Sequence, residues 1–176
     1  TDKEGKNKQV NFVVPTGNFG DILAGYYAKK MGLKVGKLVI ATNQNDVLHR
    51  FMQSGEYKKT GASVLTIAPS MDISISSNFE RYLFYLCGED TRQLALWMGG
   101  FERTGSLSVS KAQLKKAQED FASHPSSEAA IVSGMQGLWK REQYLVCPHS
   151  ATAVNAISAL RLPASTTAML ATAHPA

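Results

Sequence analysis

At 176 residues, with 44% hydrophobic and 19% charged positions, the chain has the composition of a globular protein that buries a core as one domain or as part of a larger one. No apolar run approaches the roughly 20 residues of a membrane span, and the polar, charged start of the chain is not a signal peptide. The net charge of +5 is scattered through amphipathic segments, so neither nucleic acid nor membrane is an expected partner, and an anionic small molecule suits the charge.

Residues 1–9 are polar and read as a frayed lead-in. Residues 10–14 form a short β-branched strand. Pro15-Thr16-Gly17-Asn18-Phe19-Gly20 then turns the chain. A helix is predicted over residues 21–31, with Ile22, Leu23, Tyr26 and Tyr27 at near-helical spacing and Gly32 as its stop. Residues 37–41 make a second buried strand, so the first strands belong to a βαβ unit and should be parallel.

Strand, glycine turn and helix N-terminus together make an anion site, because glycines let the backbone approach and the helix start offers free N–H groups. On that reading, a side chain at Gly17 or Gly20 would clash with the ligand or demand an unfavourable φ. An ordinary turn in which Asn18 or Asp21 caps the helix explains the same residues. Neither a Walker nor a dinucleotide fingerprint is present.

Asn43, Asn45 and Asp46 follow the second strand, where open α/β sheets bind ligands. Turn-and-cap chemistry accounts for them equally well. A helix follows over residues 46–54, and His49 on it reads as surface or satisfied core. Residues 55–61 are polar and flexible. Residues 64–68 are apolar and end at Pro69, and Asp72 on its own is a turn residue.

Residues 78–86 predict a helix with Asn78 as N-cap and Phe79, Tyr82, Leu83 and Leu86 on its core face. Residues 88–140 read as a helical insertion packed outside the sheet. Its helices lie near residues 94–97, 111–121 and 128–139, broken at Gly99-Gly100, Gly105 and Pro125-Ser126-Ser127. Ser110 and either Ser126 or Ser127 serve as caps. Residues 144–147 suggest a short strand, residues 151–160 a small-residue helix ended by Pro163, and residues 168–171 a last strand. Thr172 is the first polar residue beyond it. Cys87 and Cys147 form neither a disulfide framework nor a metal spacing, and predict reduced thiols and a cytoplasmic location.

Several motifs resemble the threonine synthase and threonine-synthase-like family. They are Pro15-Thr16-Gly17-Asn18-Phe19-Gly20-Asp21, Ala24-Gly25, Ala28-Lys29, Ala41-Thr42-Asn43-Gln44-Asn45-Asp46 and Ser70-Met71-Asp72-Ile73. Ser77-Asn78-Phe79-Glu80-Arg81, Pro148-His149 and Thr172-Ala173-His174-Pro175-Ala176 follow in the family's order. The resemblance is weakest over residues 87–143.

It implies an α/β fold: a partial parallel-sheet domain of the tryptophan-synthase-like type that binds pyridoxal 5′-phosphate, covering residues 1–176 with the helical insertion at about 88–140. It implies a carbon–oxygen lyase acting on O-phosphohomoserine, a small phosphorylated amino acid. Gly17, Asn18, Phe19 and Gly20, with Asp21 adjoining, would hold the cofactor phosphate. Thr172 would face the pyridine nitrogen, a neutral partner that moderates the ring as an electron sink. Asp72 falls near the site by family position.

The family's Schiff-base lysine lies in an upstream Ser-Phe-Lys-Asp-type motif that no lysine here matches. The chain is therefore expected to be a fragment, inactive alone, with no catalytic residue of its own. Cys147 stands where the family has Asp or Glu before Pro-His. That departure leans toward the threonine-synthase-like branch, which yields 2-oxobutyrate, and a non-catalytic fragment or binding module is the remaining alternative.

Overall fold

The computed structural model describes residues 9–172. The lead-in residues 1–8 and the Ala173-His174-Pro175-Ala176 end of the last motif lie outside them. Strand β1 (Val10–Pro15), helix α1 (Gly20–Lys30) and strand β2 (Val35–Thr42) form the βαβ unit, with β1 and β2 parallel from Phe12↔Leu38 to Pro15↔Ala41. Helix α2 (Val47–Ser54) follows.

Side chains alternate across these strands, as the pleat requires. Val14, Leu38 and Ile40 face an aromatic-rich core with Ile22, Leu23 and Tyr26 of α1 and Phe51 of α2. Val13, Val39 and Ala41 face the opposite side. There Ala153 and Ala156 of helix α7 (Pro148–Ala159) pack against them, their small side chains allowing close approach to the sheet.

Helix α3 (Phe79–Leu86) buries Phe79, Tyr82, Leu83 and Leu86, the predicted face. Helix α4 (Thr91–Thr104) starts at Asp90, which accepts from the Arg92 and Gln93 N–H groups. It runs through Gly99 and Gly100 and stops at Gly105, a left-handed residue at φ 72°. The glycine pair thus weakens the helix without breaking it. Helix α5 (Lys111–Asp120) carries a full capping box between Ser110 and Gln113, and Ser127 caps α6 (Glu128–Glu142).

Three expectations about strands also fail. Residues 88–140 are not all outside the sheet: strand β5 (Phe121–Pro125) pairs in parallel with β2 from Leu38↔Phe121 to Thr42↔Pro125. Ser123, His124 and Pro125 hide its strand character, and proline is tolerated because β5 is an edge. Residues 55–61 contain β3 (Glu56–Lys58), which pairs antiparallel with β4 (Ser106–Ser108). Residues 144–147 pair with nothing in the described sheets, because a strand forms only where a partner edge is within reach. Last, β6 (Thr167–Met169) pairs in parallel with β1, giving a sheet of order β5-β2-β1-β6. The carboxyl ends of all its strands therefore share one edge.

Candidate functional site

That edge carries a cleft of about 200 Å³ lined by residues 14–22, Ser70, Met71, His149 and Thr172. Its floor is the turn from β1 into α1. Thr16 closes the strand by donating its N–H to the Ala41 carbonyl at 2.7 Å and its hydroxyl to the Val14 carbonyl at 2.6 Å.

Phe19 is the N-cap of α1 and sits in the left-handed region at φ 65°, ψ 11°. That geometry is uncommon for a bulky residue. Its ring explains how it persists. It is fully buried against Phe79 at 5.2 Å, Phe121 at 5.3 Å and Tyr82 at 6.0 Å between centroids. Phe19 therefore offers the cleft its backbone, while its side chain belongs to the core.

No side chain caps α1. Asn18 and Asp21 are both exposed and neither performs the predicted capping. The first-turn N–H groups of Gly20, Asp21 and Ile22 have no intrahelical carbonyl to bond, as at any helix start. The turn's carbonyls are occupied instead. Ser76 donates its hydroxyl to the Gly17 carbonyl at 2.9 Å, and Asn78 donates its side-chain and main-chain N–H groups to the Asn18 carbonyl at 2.8 and 3.1 Å. A turn with its carbonyls tied and its N–H groups uncapped at a helix start suits an anion. What Asp21 can offer an anion there is its N–H, since its carboxylate would repel one.

Backbone conformation is not what calls for glycine at 17 and 20. Neither has a positive φ. A Cβ on Gly17 would lie 3.0 Å from the Ser70 carbonyl oxygen and 3.3 Å from Met71 Cα, so glycine there admits the neighbouring Pro69–Met71 turn. A Cβ on Gly20 would find only Asn78 Nδ2, at 3.6 Å.

The 69–71 turn is held from behind by a polar cluster. Asp72 accepts from Asn43 Nδ2 at 2.7 Å, Asn45 Nδ2 at 3.0 Å, and the Thr66 hydroxyl and N–H at 2.7 and 2.8 Å. Asn43 and Asn45 are buried and absent from the cleft lining, so their chemistry is that of the turn. Asp46 is paired with Arg50 at 2.9 Å. His49 Nδ1 meets the Ser123 hydroxyl at 2.9 Å, a satisfied histidine as read.

Sequence reasoning missed Ser70, Met71 and Ser76 as cleft-building residues and left His149 without a role. Periodicity carries no signal for them, because loop contacts bring them together. Thr172 does line the cleft, beyond the end of β6 and beside the 17–20 turn in the lining. Among the described residues the lining contains no lysine, and no cluster of His, Cys, Asp or Glu is suited to a metal ion. Among them too, no helix is long and apolar enough to cross a membrane.

Cys87 and Cys147 form no disulfide. The position where the chain departs from its resemblance has a local role: Cys147 is the N-cap of α7, its sulfur accepting the Ser150 N–H at 3.4 Å.

No family model matches the chain. Curated relatives do. The chain is 40% identical to a threonine synthase of Schizosaccharomyces pombe over 99% of its own length and 38% of that protein's. It is 42% identical to human threonine synthase-like 2 over 83% of the chain and 30% of that protein. Among solved structures, a pyridoxal-phosphate-bound threonine synthase from Brucella melitensis matches with a TM-score of 0.93 and 41% identity, over 98% of this chain and 37% of that one. The chain thus spans 30% to 38% of the length of these relatives.

Proposed function

Taking as premise that the chain belongs, as a segment, to the threonine synthase family, we propose that it supplies the phosphate cradle and ring-nitrogen contact of a pyridoxal 5′-phosphate site in a carbon–oxygen lyase. The substrate proposed is O-phosphohomoserine and the products are threonine and phosphate. The observation that carries this reading is the uncapped α1 start, with Phe19 left-handed, in one cleft with Thr172.

The residues present fit the cofactor. The first-turn N–H groups of α1 offer donors for a phosphate, with Gly17, Asn18, Phe19, Gly20 and Asp21 forming the cradle. Thr172 offers a hydroxyl that stays neutral, which leaves a pyridine nitrogen unprotonated. Pyridoxal phosphate, when bound, supplies an electron sink for elimination and replacement on amino acids. Among the described residues the lining offers the anion the N–H groups and helix dipole of the α1 start.

The domain reading places residues 1–176 within one cofactor-binding α/β domain, with β5 as part of its sheet. A reducing compartment, the cytoplasm, fits two cysteines that form no disulfide. The threonine-synthase-like reading, with 2-oxobutyrate as product, rests on Cys147. Because that residue works as a helix cap, it supports the second reading weakly.

The test has two parts. The full chain is titrated with pyridoxal phosphate and with pyridoxal; preference for the phosphorylated form that is lost in Gly20→Val supports the cradle, and equal affinity rejects it. In the complete polypeptide, O-phosphohomoserine turnover is followed with threonine and 2-oxobutyrate measured separately. Thr172→Val should lower affinity modestly, by about 0.5–1.5 kcal/mol for one neutral hydrogen bond, and slow turnover more. Wild-type turnover in that variant would make Thr172 a structural residue.

A further inference from the structure

His149 stands in the first turn of α7, and its ring lines the same cleft as the 17–20 turn. Its Nε2 accepts the Ser70 N–H at 3.2 Å. An imidazole nitrogen accepts only when it carries no proton, so in this arrangement the proton sits on Nδ1. That Nδ1 is shut away from solvent and meets no partner among the described residues. Burial pushes the imidazole below its ordinary pKa, which favours the neutral ring, and the Asp72 carboxylate acts in the opposite direction. Asp72 is the charged group whose field reaches the ring among the described residues.

Ser70 stands between α7 and Gly17. Its N–H is on α7, and its carbonyl oxygen lies 3.0 Å from where a Cβ on Gly17 would stand. The next residues anchor the far end of the turn. Met71 is buried, and Asp72 is tied to Asn43, Asn45 and Thr66. Among the described residues, two side-chain attachments hold the wall beside the cradle from opposite ends. One is the Asp72 cluster and the other is a single hydrogen bond that requires a neutral histidine.

We infer that His149 is a positioning residue: its unprotonated Nε2, by accepting the Ser70 N–H, holds the Pro69–Met71 turn against Gly17 and sets the width of the anion cradle. The identity of the anion rests on the proposed cofactor reading; the clamp concerns residues of this chain alone. Protonation turns Nε2 into a donor facing another donor. The contact is then lost, and the turn is released toward solvent.

The experiment uses the full chain with ¹⁵N label in backbone and histidine rings. At about pH 7.5, where an ordinary histidine is neutral, the His149 ring is expected with its proton on Nδ1 and the Ser70 amide protected from exchange. Protection, corrected for intrinsic exchange, should fall about tenfold or more as the ring titrates. His149→Gln places an acceptor without a titrating proton at the same reach. It should keep the protection and lose the pH dependence, whereas His149→Phe loses the protection.

Inorganic phosphate is the binding probe. Its affinity should drop about tenfold in His149→Phe and recover in His149→Gln, a difference of about 1.4 kcal/mol. A ring with its proton on Nε2 at neutral pH overturns the inference. So does Ser70 protection that is unchanged in His149→Phe, or phosphate affinity equal in all three proteins. If the wild-type chain binds no phosphate, the cofactor reading fails, and the ring and amide measurements still decide the clamp.

Discussion

Replacing Gly17 by alanine probes the reason that the cradle turn needs glycine. The added Cβ would lie 3.0 Å from the Ser70 carbonyl oxygen and 3.3 Å from Met71 Cα. Both are backbone atoms, so no flexible side chain can swing aside. Ser70 is held on its other side by His149, and Met71 is 3% exposed, which leaves the turn little room to retreat. Gly17 has no positive φ, so backbone strain contributes nothing and the cost is one of overpacking, about 1–3 kcal/mol.

Urea unfolding followed by circular dichroism measures it as a lower midpoint at unchanged m-value. Gly20→Ala is the matched control. Its nearest neighbour would be Asn78 Nδ2 at 3.6 Å, and alanine is a better helix former than glycine by up to about 1 kcal/mol. That variant should be as stable as wild type or more so, yet bind phosphate about tenfold more weakly, a loss of about 1.4 kcal/mol. A wild-type midpoint for Gly17→Ala, or equal destabilisation of the two variants, would refute the reasoning.

Phe19→Ala should cost about 3–5 kcal/mol through loss of the buried ring, and Phe19→Gly about 1 kcal/mol less, because glycine accepts the left-handed φ of 65°; comparing the two unfolding midpoints checks this, and the reverse order would reject it. Asp72→Ala leaves the Thr66 hydroxyl and N–H without their acceptor, while Asn43 and Asn45 keep their other acceptors, and should destabilise by about 2–3 kcal/mol, with faster amide exchange at Thr66 as the local signature. His49, His124 and His149 are all pushed down mainly by burial. The unfolded chain therefore binds more protons below about pH 6.5, and stability should be full above that pH and fall as pH drops through it. Urea midpoints measured across that range should show the fall, and His49→Gln should flatten part of it.

The sequence by itself determined the elements whose physics is local. The βαβ unit follows from two β-branched runs around a glycine-punctuated helix. The core face of α3 follows from the spacing of Phe79, Tyr82, Leu83 and Leu86, and Ser110 caps the helix it precedes, while of the two serines offered for α6 the structure uses Ser127. Gly17, Asn18, Phe19, Gly20, Asp21 and Thr172 were legible as one candidate site through the family resemblance, and their place at strand ends agrees with it, because parallel strands share a carboxyl edge.

Tertiary structure decided what depends on a partner distant in the chain. Phe121-Ala122-Ser123-His124-Pro125 is a strand only because the edge of β2 is available to it, and residues 144–147 are not, for want of such an edge. Glycine at 17 is required by a turn more than fifty residues away, not by its own φ. Phe19 holds its unfavourable backbone because Phe79, Tyr82 and Phe121 converge on its ring. His149 acquires a task only when Ser70 is brought to it. Propensity and periodicity act over a few residues, whereas steric exclusion and hydrogen-bond pairing across the cleft exist only once the chain has folded.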